Sequence, residues 1–65
     1  MIVVMKKGAS EAQVKAIAEL VAGWGLKAHV SPGEEVTVIG LIGDEAAMQE
    51  TALEMMPGVE KVMPV

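Results

Sequence analysis

The 65-residue chain contains no cysteine, arginine, tyrosine or phenylalanine, and only one tryptophan, Trp24, and one histidine, His29. Each absence excludes a class of function. Without cysteine there can be no disulfide and no cysteine-based zinc site, and a single histidine cannot build a histidine cluster. Five lysines against nine carboxylates leave a net charge of −4. A nucleic-acid surface needs cations for phosphates and often aromatics for stacking bases, so no nucleic-acid partner is expected. The longest unbroken apolar run, Met1 to Met5, is far too short to span a bilayer. It also lacks the charged lead-in of a signal peptide. A soluble, cytoplasmic protein with no membrane partner is the expectation.

What the chain does have is apolar mass. Hydrophobic residues make up 52% of it and glycine occupies seven further positions, a composition that folds rather than staying disordered. A domain of this size buries only about 60% of its extended surface and normally needs a disulfide, a metal or a partner. With the first two unavailable, the implied partner is protein: another copy of the chain, or a larger domain attached to it.

Ile2-Val3-Val4-Met5 is a continuous β-branched apolar run and reads as a central strand buried on both faces. Ser10 opens a helix, with Gln13 three residues on completing a capping box. Glu11 suits the first turn, and Glu11–Lys15 is an i,i+4 pair in the favourable order. Val14, Ile17, Val21 and Trp24 form the helix's apolar stripe, and Gly25 is its natural stop. Leu26 to Ser31 alternates, with Leu26, Ala28 and Val30 on one face and Lys27, His29 and Ser31 on the other, the mark of a half-buried strand.

Pro32-Gly33 supplies the central positions of a type II turn, and Val36 to Ile42 is a second β-branched strand closing a hairpin. Asp44 is a good N-cap for a second helix over Glu45 to Met55. Met48, Ala52 and Met55 form its stripe, while Leu53 sits off that stripe without a firm place. Pro57-Gly58 ends the helix, and Val59 to Met63 is a last strand that Pro64 confines to a sheet edge.

The order β-α-β-β-α-β predicts an α+β, ferredoxin-like sandwich occupying residues 1–65 as one domain, its four-stranded antiparallel sheet carrying both helices on one face. The other sheet face has no cover within the chain, and the apolar residues on it mark a binding surface. Met5 and Met63 are candidates for that face, while Met48, Met55, Met56 and Trp24 read as core filler.

No catalytic constellation emerges. Ser10 and Ser31 are the only serines and His29 the only imidazole, so a nucleophile, a base and an orienting group do not assemble. A metal-transfer domain of this topology needs a cysteine pair in its first loop, where Lys6-Lys7-Gly8 stands instead. Gly8 and Gly43 precede helices whose N-termini could attract an anion, but ordinary turn chemistry explains them equally well. His29 and Ser31, two residues apart on one strand face, would hold their side chains about 7 Å apart. That spacing suits two contacts to one ligand better than a nucleophile–base bond. Taken alone, such a pair is ordinarily solvated; a functional role requires a protein partner to cover that side.

The opening Met1-Ile2-Val3-Val4-Met5-Lys6, the Leu26-Lys27-Ala28-His29-Val30-Ser31 strand with Gly33-Glu34-Glu35, and the run Thr37-Val38-Ile39-Gly40-Leu41-Ile42-Gly43-Asp44 occur in this order. Together they resemble the N-terminal ferredoxin-like, ACT-like regulatory domain of 3-deoxy-D-arabino-heptulosonate 7-phosphate (DAHP) synthase, over nearly the whole chain. Enzymes of that family condense phosphoenolpyruvate with erythrose 4-phosphate at the first step of the shikimate pathway.

The resemblance implies a feedback module in aromatic amino acid biosynthesis. Two copies from different subunits would close around tyrosine or phenylalanine and cover the mouth of a catalytic (β/α)8 barrel. His29 and Ser31 would be the effector-binding residues. The barrel, its divalent metal and its catalytic residues lie outside this chain, which is then expected to have no aldol activity and no cofactor of its own. Two other readings stand beside this one: a stand-alone oligomerisation module without a ligand, and an ACT-like small-molecule sensor of another amino-acid enzyme.

Overall fold

A computed structural model describes residues 1–64. Its elements are β1 (Ile2–Met5), α1 (Glu11–Gly23), β2 (Lys27–Pro32), β3 (Thr37–Ile42), a 3-10 turn (Glu45–Ala47), α2 (Glu50–Glu54) and β4 (Val59–Met63). The strands form one antiparallel sheet in the order β2-β3-β1-β4. This is the ferredoxin-like order expected from the pattern, with β1 and β3 in the centre.

Both ends of α1 are set by local chemistry. The Ser10 N–H donates to Gln13 Oε1 at 3.0 Å, and the Gln13 N–H donates back to Ser10 Oγ at 3.2 Å, so the capping box is complete. At the other end Gly25 adopts φ +82°, a left-handed conformation that costs glycine nothing. Its N–H donates to the Ala22 carbonyl and the Leu26 N–H to the Val21 carbonyl, each at 3.0 Å. That is a Schellman stop, and the Val21 and Leu26 side chains that accompany it are both buried. Leu26 is therefore used in the cap, and β2 begins one residue later than the alternation suggests.

The core is apolar throughout: Val3, Met5, Ile17, Val21, Leu26, Ile39, Leu41, Leu53 and Val59. Val3 and Met5 of β1 alternate into it, as do Ile39 and Leu41 of β3. Both helices contribute to the same cluster, Ile17 and Val21 from α1 and Leu53 from α2, so both lie on one face of the sheet. Trp24, Met48 and Met56 pack against its margin. Ile2 and Val4 project to the opposite face and remain half-buried. β1 is thus fully buried on one side only. Met5, a candidate for the uncovered face, is instead completely inside; it shares the parity of Val3.

Two further expectations fail for physical reasons. The β2–β3 connection is not a type II turn on Pro32-Gly33, which would require positive φ at Gly33; Gly33 is not among the glycines with positive φ. Pro32 instead pairs with Thr37, and the Gly33 N–H donates to the Val36 carbonyl at 3.0 Å. Four residues, Gly33 to Val36, make the connection. Pro32 ends an edge strand, where a missing N–H is tolerated.

The second helix is also not continuous. Asp44 Oδ1 accepts the Ala46 N–H at 2.9 Å and caps only the 3-10 turn, after which Met48 is extended at φ −80°, ψ 128°. α2 then starts afresh at Glu50 without a side-chain cap. The restart changes which face meets the core. Leu53 is fully buried, and Met55, expected on the apolar stripe, is 80% exposed. Burying a leucine side chain contributes about 1.5–3 kcal/mol, against about 0.5–1.5 kcal/mol net for each helical hydrogen bond forgone at the break.

Candidate functional site

The ladder registers define the sheet face that carries no helix. Residues opposite each other on neighbouring strands project to the same side. His29 pairs with Gly40, Gly40 with Ile2, and Ile2 with Met63. The adjacent row runs Ser31, Val38, Val4, Lys61, and Lys27 stands opposite Ile42. The centre of this open face is therefore Ile2, Val4, Val38 and Ile42, with Ile42 59% exposed. His29 and Ser31 stand at its β2 edge, both exposed. The structure places both residues on the face that the strand alternation assigns them.

The charges are segregated. Lys27 and Lys61 project from this face, and none of the nine carboxylates of the chain lies in its rows. Glu11 and Glu19 are on α1, Glu50 and Glu54 on α2, and Glu34, Glu35, Asp44 and Glu45 lie outside the strands. Glu60 is the extra residue of an irregularity in the β1–β4 ladder, where Val4 pairs with Lys61 and Met5 with Val59. A chain of net charge −4 thus presents one locally basic face with an apolar centre. Such a surface suits an anionic group joined to an apolar body.

A second concavity lies on the helix side of the sheet and was not anticipated from the sequence. A cleft of about 390 Å³ opens between α1 and the edge of β2, with Val14, Ala18, Val30 and Pro32 among its walls and Glu11 and Lys15 beside them. Ala18 is the small α1 side chain among its walls, and Val30 of the edge strand is 39% exposed. His29 and Ser31 project from the opposite face of β2 and do not line it.

Among the described residues no three His, Asp or Glu side chains come together to hold a metal ion. None of the helices of the described residues is long and apolar enough to cross a membrane.

Comparison with known proteins gives one consistent result. The profile of the DAHP synthase ferredoxin-like domain matches residues 1–65. The chain is 40% identical over its full length to the phospho-2-dehydro-3-deoxyheptonate aldolase of Thermotoga maritima, of which it spans 19%. The crystal structure of phospho-2-dehydro-3-deoxyheptonate aldolase (DAHP synthase) from Thermotoga maritima superposes with a TM-score of 0.85 at 38% identity, covering 92% of this chain and 18% of that one. The chain covers about a fifth of these relatives, and it belongs to the family of DAHP synthase ferredoxin-like domains.

Proposed function

We propose that the chain is the feedback-regulatory domain of a DAHP synthase. In this reading it binds tyrosine or phenylalanine between the open sheet faces of two copies, and the joined pair gates the catalytic barrel of the parent enzyme. The condensation of phosphoenolpyruvate with erythrose 4-phosphate, and the divalent metal that serves it, belong to that barrel. The domain contributes no catalytic residue and no metal ligand.

The observation that carries the reading is the composition of the open face. Half-buried Ile2, Val4 and Val38 lie bare beside His29 and Ser31, with Lys27 and Lys61 at the flanks and no carboxylate in the rows. An aromatic amino acid offers an apolar ring for the centre, a carboxylate for a lysine, and in tyrosine a hydroxyl for the imidazole and the serine. One domain supplies a floor without a roof. A second copy supplies the roof, so the effector favours the joined arrangement over the separated one, and that difference in affinity is what drives a switch. Allosteric couplings of this kind are typically about 1–3 kcal/mol.

The test is a backbone amide shift map of the chain titrated with tyrosine and with phenylalanine. Movement of the amides of His29, Ser31, Val38 and Ile2, with slower tumbling as two copies join, supports the reading. Shifts confined to the α1–β2 cleft, or no shifts with either amino acid, contradict it.

A further inference from the structure

We infer that Gly40 is a specificity-determining residue of the effector site, its missing side chain leaving a bare patch of backbone on which the flat face of an aromatic ring lies beside His29. The inference rests on the regulatory reading above and adds a residue to that site.

Gly40 sits inside a central strand, where glycine weakens the sheet and offers nothing to pack. At most other glycines the geometry demands the residue, Gly23 at the end of α1 being the exception outside the sheet. A Cβ at Gly58, at φ +85°, would lie 2.6 Å from Gln13 Oε1, and one at Gly43 would lie 2.5 Å from Leu26 Cδ2. No such demand exists at Gly40. It has no positive φ, and a Cβ there would meet only the His29 carbonyl oxygen, at an ordinary 3.8 Å. Backbone conformation and domain packing both admit a larger residue, so folding of the single domain leaves the glycine unexplained. A strand glycine without a structural cause commonly marks a close approach from outside the sheet.

The surroundings say what approaches. Gly40 is flanked across the ladders by His29 on β2 and Ile2 on β1, and along its own strand face by Val38 and Ile42. The result is a shallow depression with a backbone floor, three aliphatic walls and one imidazole wall. Its span from His29 to Ile2 is two strand spacings, about 10 Å. A planar ring can lie in it with its edge toward the imidazole, where a ring hydroxyl would find a hydrogen-bond partner. A side chain at position 40 would lift the ring off the floor and away from His29.

The test compares Gly40→Ala and Gly40→Val with His29→Ala in the full-length synthase that carries the domain. Three quantities are read for each: melting without effector, the effector-induced rise in melting temperature, and the concentration of tyrosine or phenylalanine giving half-maximal inhibition. The expected result is that both Gly40 variants melt at or above the parent temperature while the half-maximal concentration rises, modestly for alanine and by at least about tenfold for valine. Loss of the effector-induced melting rise should parallel it. A purely structural glycine would instead lower effector-free melting, which would overturn the inference. So would undiminished inhibition of Gly40→Val alongside lost inhibition of His29→Ala; the effector site would then stand without Gly40. Undiminished inhibition in all three variants would overturn the regulatory reading and this inference together.

Discussion

His29 pairs directly with Gly40 across the β2–β3 ladder, so the only imidazole of the chain stands beside a position that has no side chain. One pair further along, Ser31 stands opposite Val38. The polar edge of the open face and its apolar centre are thus joined by register, residue against residue. A ligand that contacts both His29 and the apolar centre of the face lies over Gly40.

Leu53 carries the attachment of α2 to the sheet. Leu53→Ala should destabilise the domain by about 2–5 kcal/mol, because the side chain is wholly enclosed and its removal leaves a cavity. Met55→Ala, at an 80% exposed position two residues away, should stay within about 0.5 kcal/mol of the parent. Urea unfolding midpoints of the two variants provide the check; equal losses would mean that the helix keeps its original phase.

Ser10→Ala should remove one half of the capping box and cost about 0.5–2 kcal/mol. The Gln13 N–H loses its side-chain acceptor in this variant and keeps only the Ser10 carbonyl at 3.1 Å, while the Ser10 N–H keeps Gln13 Oε1. Ser10→Asp retains an acceptor and adds charge complementary to the helix dipole, so it should recover most of the loss. Circular dichroism melts of the three chains test this, and failure of aspartate to rescue would contradict the capping assignment.

Gly58 and Gln13 should be energetically coupled although they lie in different elements. A Cβ at Gly58 would stand 2.6 Å from Gln13 Oε1 and 3.3 Å from Met5 Cε, at a backbone φ of +85°. Gly58→Ala should therefore lose the left-handed preference, about 1–2 kcal/mol, and also push Gln13 out of the capping box. In a double-mutant cycle with Gln13→Ala the combined loss should be smaller than the sum of the single losses. Strict additivity would show that the side chain of Gln13 moves away freely.

The parts of the fold legible in the sequence were those fixed by local chemistry. The Ser10–Gln13 box and the Gly25 stop each depend on a few consecutive residues, and both formed as the pattern requires. The alternation from Leu26 to Ser31 likewise assigned His29 and Ser31 to one face correctly. Met5 was harder, because an unbroken apolar run has no alternation to declare which side is which. The break at Met48 has no glycine or proline to announce it, and the helix phase that buries Leu53 in the shared core depends on contacts distant in sequence.

Register was the largest loss. A type II turn at Pro32-Gly33 would pair Ser31 with Glu34 and His29 with Val36. The longer loop observed moves His29 opposite Gly40. The face on which His29 and Ser31 stand was therefore readable, and their neighbours across the ladder were not.

The most direct measurement is inhibition of the full-length synthase carrying this domain by tyrosine and by phenylalanine, in the parent, in His29→Ala and in Ser31→Gly. Each variant is compared with its own uninhibited rate. If effector binding between two open faces gates the barrel, both substitutions raise the half-maximal inhibitory concentration of at least one amino acid. Tyrosine is affected more than phenylalanine, because only its hydroxyl can use the imidazole and the serine. Inhibition unchanged from the parent in both variants would contradict the assignment of the effector site.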